Sequence, residues 1–285
     1  MTLMWQALLW SWMPGLFWLI FVESHAPQRS SWPRLLVAFA AGGLSVLGVY
    51  AFHAVVPFNL DNPPSDPVGS LFYYVLAVGL LEEVCKMSAV LVTCWPRKDF
   101  REPWDGLACA STAALGFATV ENFSYVINYG DPSILVGRFL LSTVAHVAMS
   151  GIWGFALGLS KQGGRKWPLT LLVWEALLWS ALGHGAYDWF LSMSWTLGGL
   201  AVFGGLILVF RQRLQEAHLT SLRRKWPTQR VVECPPCRSL YRHDYRYCCH
   251  CGQEKGEGPA RAVCLACLAE ASDNTECPSC HRAFF

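Results

Sequence analysis

Residues 70–95 read SLFYYVLAVGLLEEVCKMSAVLVTCW. Twenty-six mostly apolar residues are long enough to cross a bilayer, since a spanning helix needs roughly 20. Yet Glu82, Glu83 and Lys86 interrupt the middle of the run. An ionisable side chain inside a span is costly and marks a functional site by default. The stretch therefore reads as a transmembrane helix that carries polar chemistry in its interior, and the rest of the chain has to supply helices around it.

Working outward, seven candidate spans emerge, at about 3–22, 35–57, 70–95, 105–127, 135–160, 168–190 and 194–211. The first contains Pro14, which a membrane helix tolerates when neighbours repair the lost hydrogen bond. It lacks a basic flank, so it reads as a retained helix rather than a signal cleaved near Ser24-His25-Ala26. Charge divides the chain in two. Residues 1–210 hold 10 Lys/Arg and 12 Asp/Glu; residues 211–285 hold 12 and 8 in a third of the length. Thirteen of 14 Trp precede residue 210 and nine of 12 Cys follow it. A single water-soluble enzyme is excluded by the apolar part, and a secreted disulfide scaffold by the clustering of cysteines in a tail. The expected fold is an all-α polytopic membrane protein of about seven transmembrane helices, with a small C-terminal zinc-ribbon domain. Its parts are a membrane-embedded domain (1–210), a basic linker (211–230) and a double zinc ribbon (231–285).

Lys and Arg in the short loops set orientation. Arg29 and Arg34, then Arg97, Lys98 and Arg101, then Lys161, Arg165 and Lys166, alternate with loops that have none. The predicted topology has the N-terminus outside and the tail, opening with Arg211 and Arg213, in the cytoplasm. Arg138 is the exception, placed to snorkel or to pair with Asp131. Trp95, Trp104, Trp167, Trp189 and Trp195 fall near helix ends, as an interfacial belt requires.

Within this topology the intramembrane polar residues agree in depth. Glu82 lies roughly 18 Å and His146 roughly 16 Å from the outer face at about 1.5 Å per residue. Glu121 and His184 lie roughly 9 Å down by the same rise. Four helices thus bring carboxylates and imidazoles to the midplane or outer half, which points to a shared site. A desolvated carboxylate can act as general base toward water, and imidazoles can transfer protons, polarise a carbonyl or bind a metal. His184 and Asp188 are four apart, so Asp188 can orient the ring. Adjacent Glu82 and Glu83 point about 100° apart, so one of the two faces the site. The bland readings are a Glu82–Lys86 pair that eases insertion, a helix–helix hydrogen bond for His146, and an interfacial His53. Glu175 is expected to pair structurally with Lys86.

At these residues the sequence resembles the PrsW family of intramembrane proteases, related to the CAAX prenyl protease group. The matching motifs are Glu82-Glu83-x-x-Lys86, Phe117-x-x-x-Glu121-Asn122, His146, and His184-x-x-x-Asp188. Four motifs in order on four successive spans are specific where any one alone is not. The resemblance, over about residues 10–200, implies cleavage of membrane-embedded or membrane-proximal segments, in bacteria the regulated release of a tethered signalling factor at the cytoplasmic membrane. It implies Glu82, Glu83, Glu121, His146 and His184 as the catalytic set. The residues suit both a catalytic metal and a metal-free acid–base pair, and either Glu82 or Glu83 as the base. No His-Glu-x-x-His or Gly-x-Gly-Asp motif exists, and Ser150 lacks the glycine expected before a serine nucleophile.

The tail carries four Cys-x-x-Cys pairs, 234/237, 248/251, 264/267 and 277/280. Each pair occupies half of a zinc tetrahedron. Sequential pairing gives one structural zinc on Cys234, Cys237, Cys248 and Cys251 and a second on Cys264, Cys267, Cys277 and Cys280, with Cys249, His250 and His281 as spectators. Such a small segment needs the metal to fold. The expected partners are a membrane-protein substrate, the lipid bilayer and a cytoplasmic protein recruited by the ribbons; no nucleic acid is expected. The competing function is a membrane sensor or scaffold whose acidic-histidine cluster is not catalytic.

Overall fold

The computed structural model describes residues 3–24, 30–56, 63–164, 167–225, 228–238, 240–242, 247, 251, 253–254 and 261–264. The chain divides into two compact units, Met1–His218 and Leu219–Phe285.

The first unit is helical. Its elements are α1 (Leu3–Ser24), α2 (Trp32–Val55), α3 (Pro67–Tyr73), a π-helical segment (Tyr74–Leu80), α4 (Leu81–Thr93), α5 (Pro103–Tyr129), α6 (Ile134–Gly137), a second π-helical segment (Arg138–Ser142), α7 (Thr143–Gln162), α8 (Leu171–Ser192) and α9 (Thr196–Lys225). The chain is a polytopic membrane protein. Among the described residues four helices are long and apolar enough to cross a bilayer by length and composition: Met4–Ser24, Trp32–Val55, Ile134–Gln162 and Thr196–Thr220. The other long helical stretches, α3 through α4, α5 and α8, carry polar residues that lower their hydropathy.

Helices α5 and α7 form the centre, and α2 packs on α5. Small residues explain why they can: α5 runs Gly106, Ala108, Ala110, Ser111, Ala113, Ala114 and Gly116. Without a strong hydrophobic drive between helices in lipid, close backbone approach by small residues supplies the packing. A side chain at Gly106 would meet the Gly154 carbonyl oxygen of α7 at 2.1 Å, so the two backbones touch there. Large apolar side chains point outward instead: Leu44, Leu47, Leu171, Leu178 and Trp179 are all exposed, the inverse of a water-soluble surface and the surface a bilayer covers.

The loop before α5 is pinned by charge. Glu102 and Asp105 form a reciprocal capping box, with Pro103 at the first helical position. Buried Arg34 of α2 donates to Asp105 Oδ1 at 2.8 Å and to the Asp99 carbonyl at 2.6 Å. The same region buries two of the tryptophans at helix ends. Trp95 and Trp104 are buried in the core, Trp95 against Phe100 with Lys161 Nζ 4.4 Å from its ring centroid and Trp104 edge-on to His218 of α9. Trp167 and Trp195 are exposed.

Helix α9 continues to Lys225, through most of the segment read as a linker. Neither Gly nor Pro lies between Leu206 and Lys225, and Arg213 pairs with Glu216 at 2.8 Å, so nothing in the sequence stops the helix at 210. In the second unit β1 (Thr228–Glu233) is the centre of a three-stranded sheet, antiparallel to both β2 (Leu240–Arg242) and β3 (Arg261–Cys264). The register places Thr228 opposite Cys264 and Glu233 opposite Leu240. The strand leading into the first cysteine pair thus also pairs with the strand that ends on the first cysteine of the third pair.

Candidate active site

The five intramembrane residues singled out in the sequence converge. Glu82 and Glu83 come from the first turn of α4, Glu121 from α5, His146 from α7 and His184 from α8. Glu82, Glu83, His146 and His184 are buried. Each of the two π-helical segments ends just before a polar residue of the site: Leu80 precedes Glu82 by two, and Ser142 precedes His146 by four. A π segment widens the helix and re-aims the residues that follow it, and such bulges recur at functional sites.

The two adjacent glutamates have different surroundings. Glu83 is fully buried and accepts four hydrogen bonds: Lys86 Nζ at 2.9 Å and His184 Nδ1–H at 3.1 Å on Oε1, Ser150 Oγ at 2.7 Å and Trp153 Nε1 at 2.8 Å on Oε2. Glu82 lines a cavity of about 610 Å³, with Lys86 Nζ at 3.2 Å and His184 Nε2 at 3.5 Å. Glu121, His146, His184, Asp188 and Arg138 line the same cavity, beside a group of tyrosines that includes Tyr125 and Tyr187. Its size suits a bound segment of ligand.

The partners determine the histidine tautomers. Lys86 can only donate and a carboxylate can only accept. Lys86 Nζ donates to His146 Nδ1 at 2.9 Å, and His146 Nε2–H donates to Glu121 Oε2 at 2.8 Å. His184 gives Nδ1–H to Glu83, which leaves Nε2 facing Glu82 and, at 3.4 Å, Asp188 Oδ2. Each imidazole is therefore held by one glutamate through one ring nitrogen.

Two expected pairings are corrected. Lys86 does not reach Glu175; its fully buried ammonium bonds Glu82, Glu83 and His146 and lies 4.2 Å from the Phe117 ring centroid. The two glutamates three and four residues back on its own helix are nearer than anything on α8. Glu175 lines a separate apolar groove between α7, α8 and α9. Arg138 does not pair with Asp131, which bonds Ser133 within its own turn. Arg138 turns inward to Glu121 at 2.8 Å and Asn122 at 2.6 Å. Arg138, Ser150 and Trp153 were not candidates in the sequence. An arginine inside the fifth apolar run was the signal for Arg138, Ser150 stands out in the sequence only as a rejected serine nucleophile, and nothing local marked Trp153.

One oxygen of Glu82 and one nitrogen each of His146 and His184 lie within 4.8 Å of one another. Two imidazoles and a carboxylate are a donor set used by catalytic zinc in peptidases. The outer carboxylates Glu83 and Glu121 match the second-shell pattern in which a metal-bound histidine gives its other N–H to a carboxylate. The residues therefore fit a divalent metal. Because Lys86 shares two of the donor atoms, a bound cation has to displace the ammonium toward Glu83 Oε1, which already holds it.

In the tail, Cys234, Cys237 and Cys251 bring their sulfurs within 4.8 Å of one another, with Cys234 and Cys251 at 3.5 Å. Cys264 is the last residue of β3. Cys248, Cys267, Cys277 and Cys280 lie outside the described residues, as do the spectators Cys249, His250 and His281.

The chain is a helical membrane protein whose polar centre is built from glutamates and histidines on four helices. Residues 30–212 match the sequence profile of the PrsW family intramembrane metalloproteases, and the chain belongs to that family. Such a family implies a metal. Relatives named Protease PrsW include that of Bacillus subtilis (strain 168), 35% identical over 128 residues, or 44% of this chain and 56% of that one. Another, from Geobacillus kaustophilus (strain HTA426), is 35% identical over 116 residues, or 41% and 50%. The relative from Clostridioides difficile (strain 630) is 25% identical over 206 residues, or 71% and 84%. The match thus spans about half the length of the first two relatives. No solved structure matches the chain.

Proposed function

We propose that the chain is an intramembrane peptidase that hydrolyses peptide bonds of membrane-embedded or membrane-proximal protein segments. The observation that carries this reading is the Glu82–His146–His184 donor set at the wall of a cavity large enough for substrate. Its metalloprotease family and relatives named as proteases support it.

Glu82, His146 and His184 would hold a divalent metal, which when bound polarises the scissile carbonyl and acidifies water. Glu83, saturated by four donors, keeps His184 in one tautomer and presents its Nε2 to the cavity. Glu121 does the same for His146 through Nε2–H. With Glu82 among the donors, Glu121 is the carboxylate left to take a proton from the attacking water; its side chain is 21% exposed and lines the cavity. Asp188, 3.4 Å from His184, is a second acceptor at the same wall.

The membrane unit crosses the bilayer seven times, with the N-terminus outside and the tail in the cytoplasm of a bacterial cell. The loop charges support this orientation. The tail binds two structural zinc ions and recruits a cytoplasmic partner; the sulfur triad of Cys234, Cys237 and Cys251 supports the first ion. The substrate is a membrane protein, consistent with a tethered signalling factor.

The test is cleavage of a candidate tethered substrate by the full chain in liposomes. Glu82→Gln, Glu121→Gln, His146→Ala and His184→Ala are each expected to lower turnover by on the order of 10²-fold or more, the scale of losing a general base or electrostatic stabiliser. Variants that all cleave at the wild-type rate would refute this catalytic set, and a wild type that cleaves nothing would replace the protease reading with that of a sensor.

A further inference from the structure

Among the described residues Arg138 is the one lysine or arginine lining the cavity, and polarising the scissile carbonyl and activating water give it no task. Its position is expensive, since an arginine within an apolar span has to be fully partnered. The partners are specific. Nη2 donates to Glu121 Oε2 at 2.8 Å, Nε donates to Asn122 Oδ1 at 2.6 Å, and the guanidinium carbon lies 3.8 Å from the Tyr125 ring centroid. All three belong to one stretch of α5. Asn122 is itself fixed, because its Nδ2 donates to Thr143 Oγ1 at 3.3 Å, at the first residue of α7. The arginine thus closes a ring between α5 and the start of α7.

The π-helical segment makes this geometry available. Arg138 and His146 are eight residues apart, so an ideal α-helix at about 100° per residue would leave them roughly 80° apart around the axis. The five residues from Arg138 to Ser142 follow the wider i→i+5 pattern and turn less per residue, which rotates Arg138 toward the face of His146. Both side chains then reach the same atom, Glu121 Oε2. Removing the arginine leaves Glu121 free to swing within the cavity. Its hold on the His146 ring, and its aim toward a substrate water, go with it.

We propose that Arg138 is a positioning residue for hydrolysis: its two-pronged grip on Glu121 and Asn122 holds Glu121 in place, and through it the tautomer and orientation of His146. This deepens the protease reading and rests on it. The planar fork is essential. A lysine at 138 keeps the charge but presents one point donor, which cannot span two acceptors and stack on Tyr125 at once.

The experiment uses the full chain in liposomes with Arg138→Ala and Arg138→Lys. Both are expected to lower kcat about 10- to 100-fold, the usual cost of losing an outer-shell partner, with KM held. Because Arg138 lines the cavity, added guanidinium ion is expected to restore part of the turnover of Arg138→Ala and to leave wild type and Arg138→Lys unchanged. A second arm needs no substrate: metal content is measured after dialysis against a chelator, with His184→Ala defining the contribution of the tail. Arg138→Ala is expected to fall toward the His184→Ala level while wild type retains its excess. The proposal is overturned by wild-type kcat and metal content in Arg138→Ala. It is also overturned by a raised KM with kcat kept, which would make Arg138 a substrate contact. A third refuting result is a lowered melting temperature with normal turnover per folded molecule, which would make it a structural prop. A wild type that cleaves nothing would end the protease reading, and the metal arm would still decide the role of Arg138.

Discussion

Replacing Gly185 by alanine is expected to disable the site without unfolding the protein. Gly185 follows His184 on α8, where the helix lies against the π-helical segment that precedes Glu82. An added Cβ would fall 2.3 Å from Val75 Cα and 2.5 Å from its nitrogen. Both are backbone atoms, which cannot rotate away. Restoring an ordinary contact of about 3.4 Å requires the two segments to separate by about 1.1 Å at that point. Overpacking of this kind costs about 1–3 kcal/mol, which a membrane bundle of this size survives. The catalytic cost is larger. Glu82, two residues beyond the π-helical segment, and His184 on α8 are 3.5 Å apart, and a misplacement of about 1 Å at a reacting centre costs on the order of 10²-fold in rate. Turnover in liposomes, normalised to the folded fraction from a thermal melt, reads both effects. Gly204→Ala is the control, since nothing lies within 4 Å of a Cβ there and the added methyl favours the helix. Wild-type turnover and melting in Gly185→Ala would refute the claim that backbone contact between these two segments sets the Glu82–His184 distance.

Two further outcomes concern the rest of the chain. Single cysteines at Asp66, Lys98 and Lys161, in a background lacking the native thiols of the membrane unit, should label from outside only at position 66; labelling at 98 would invert the orientation and the depth of the site with it. Native mass spectrometry of the full chain should find about two zinc ions in the tail, and Cys234→Ser should release one if the pairs join sequentially, whereas loss of both would indicate cross-bracing.

What could be read in the residues and what could not follow different physics. The helical membrane class was legible, because crossing hydrocarbon demands about 20 apolar residues in a row and such runs stand out in any sequence. The set Glu82, Glu83, Glu121, His146 and His184 was legible for the related reason that charge in such a run needs a purpose. That only one of the two adjacent glutamates lines the cavity also followed from helical geometry; that it is Glu82 did not, since Ser150 and Trp153 on α7 are what claim Glu83. The i,i+4 pairing of Lys86 with Glu82 held, whereas Glu175 was wrongly paired with Lys86 and Asp131 with Arg138, because charge and depth alone do not say which neighbour on another element a side chain turns to. The π-helical segments were invisible. They depend on how neighbouring helices pack rather than on any residue pattern, and they aim Glu82, Arg138 and His146. The sequence by itself determined the class of fold and the chemical groups of the site. The tertiary structure decided which of those groups face the cavity and which only hold the others, because that depends on contacts between side chains up to a hundred residues apart.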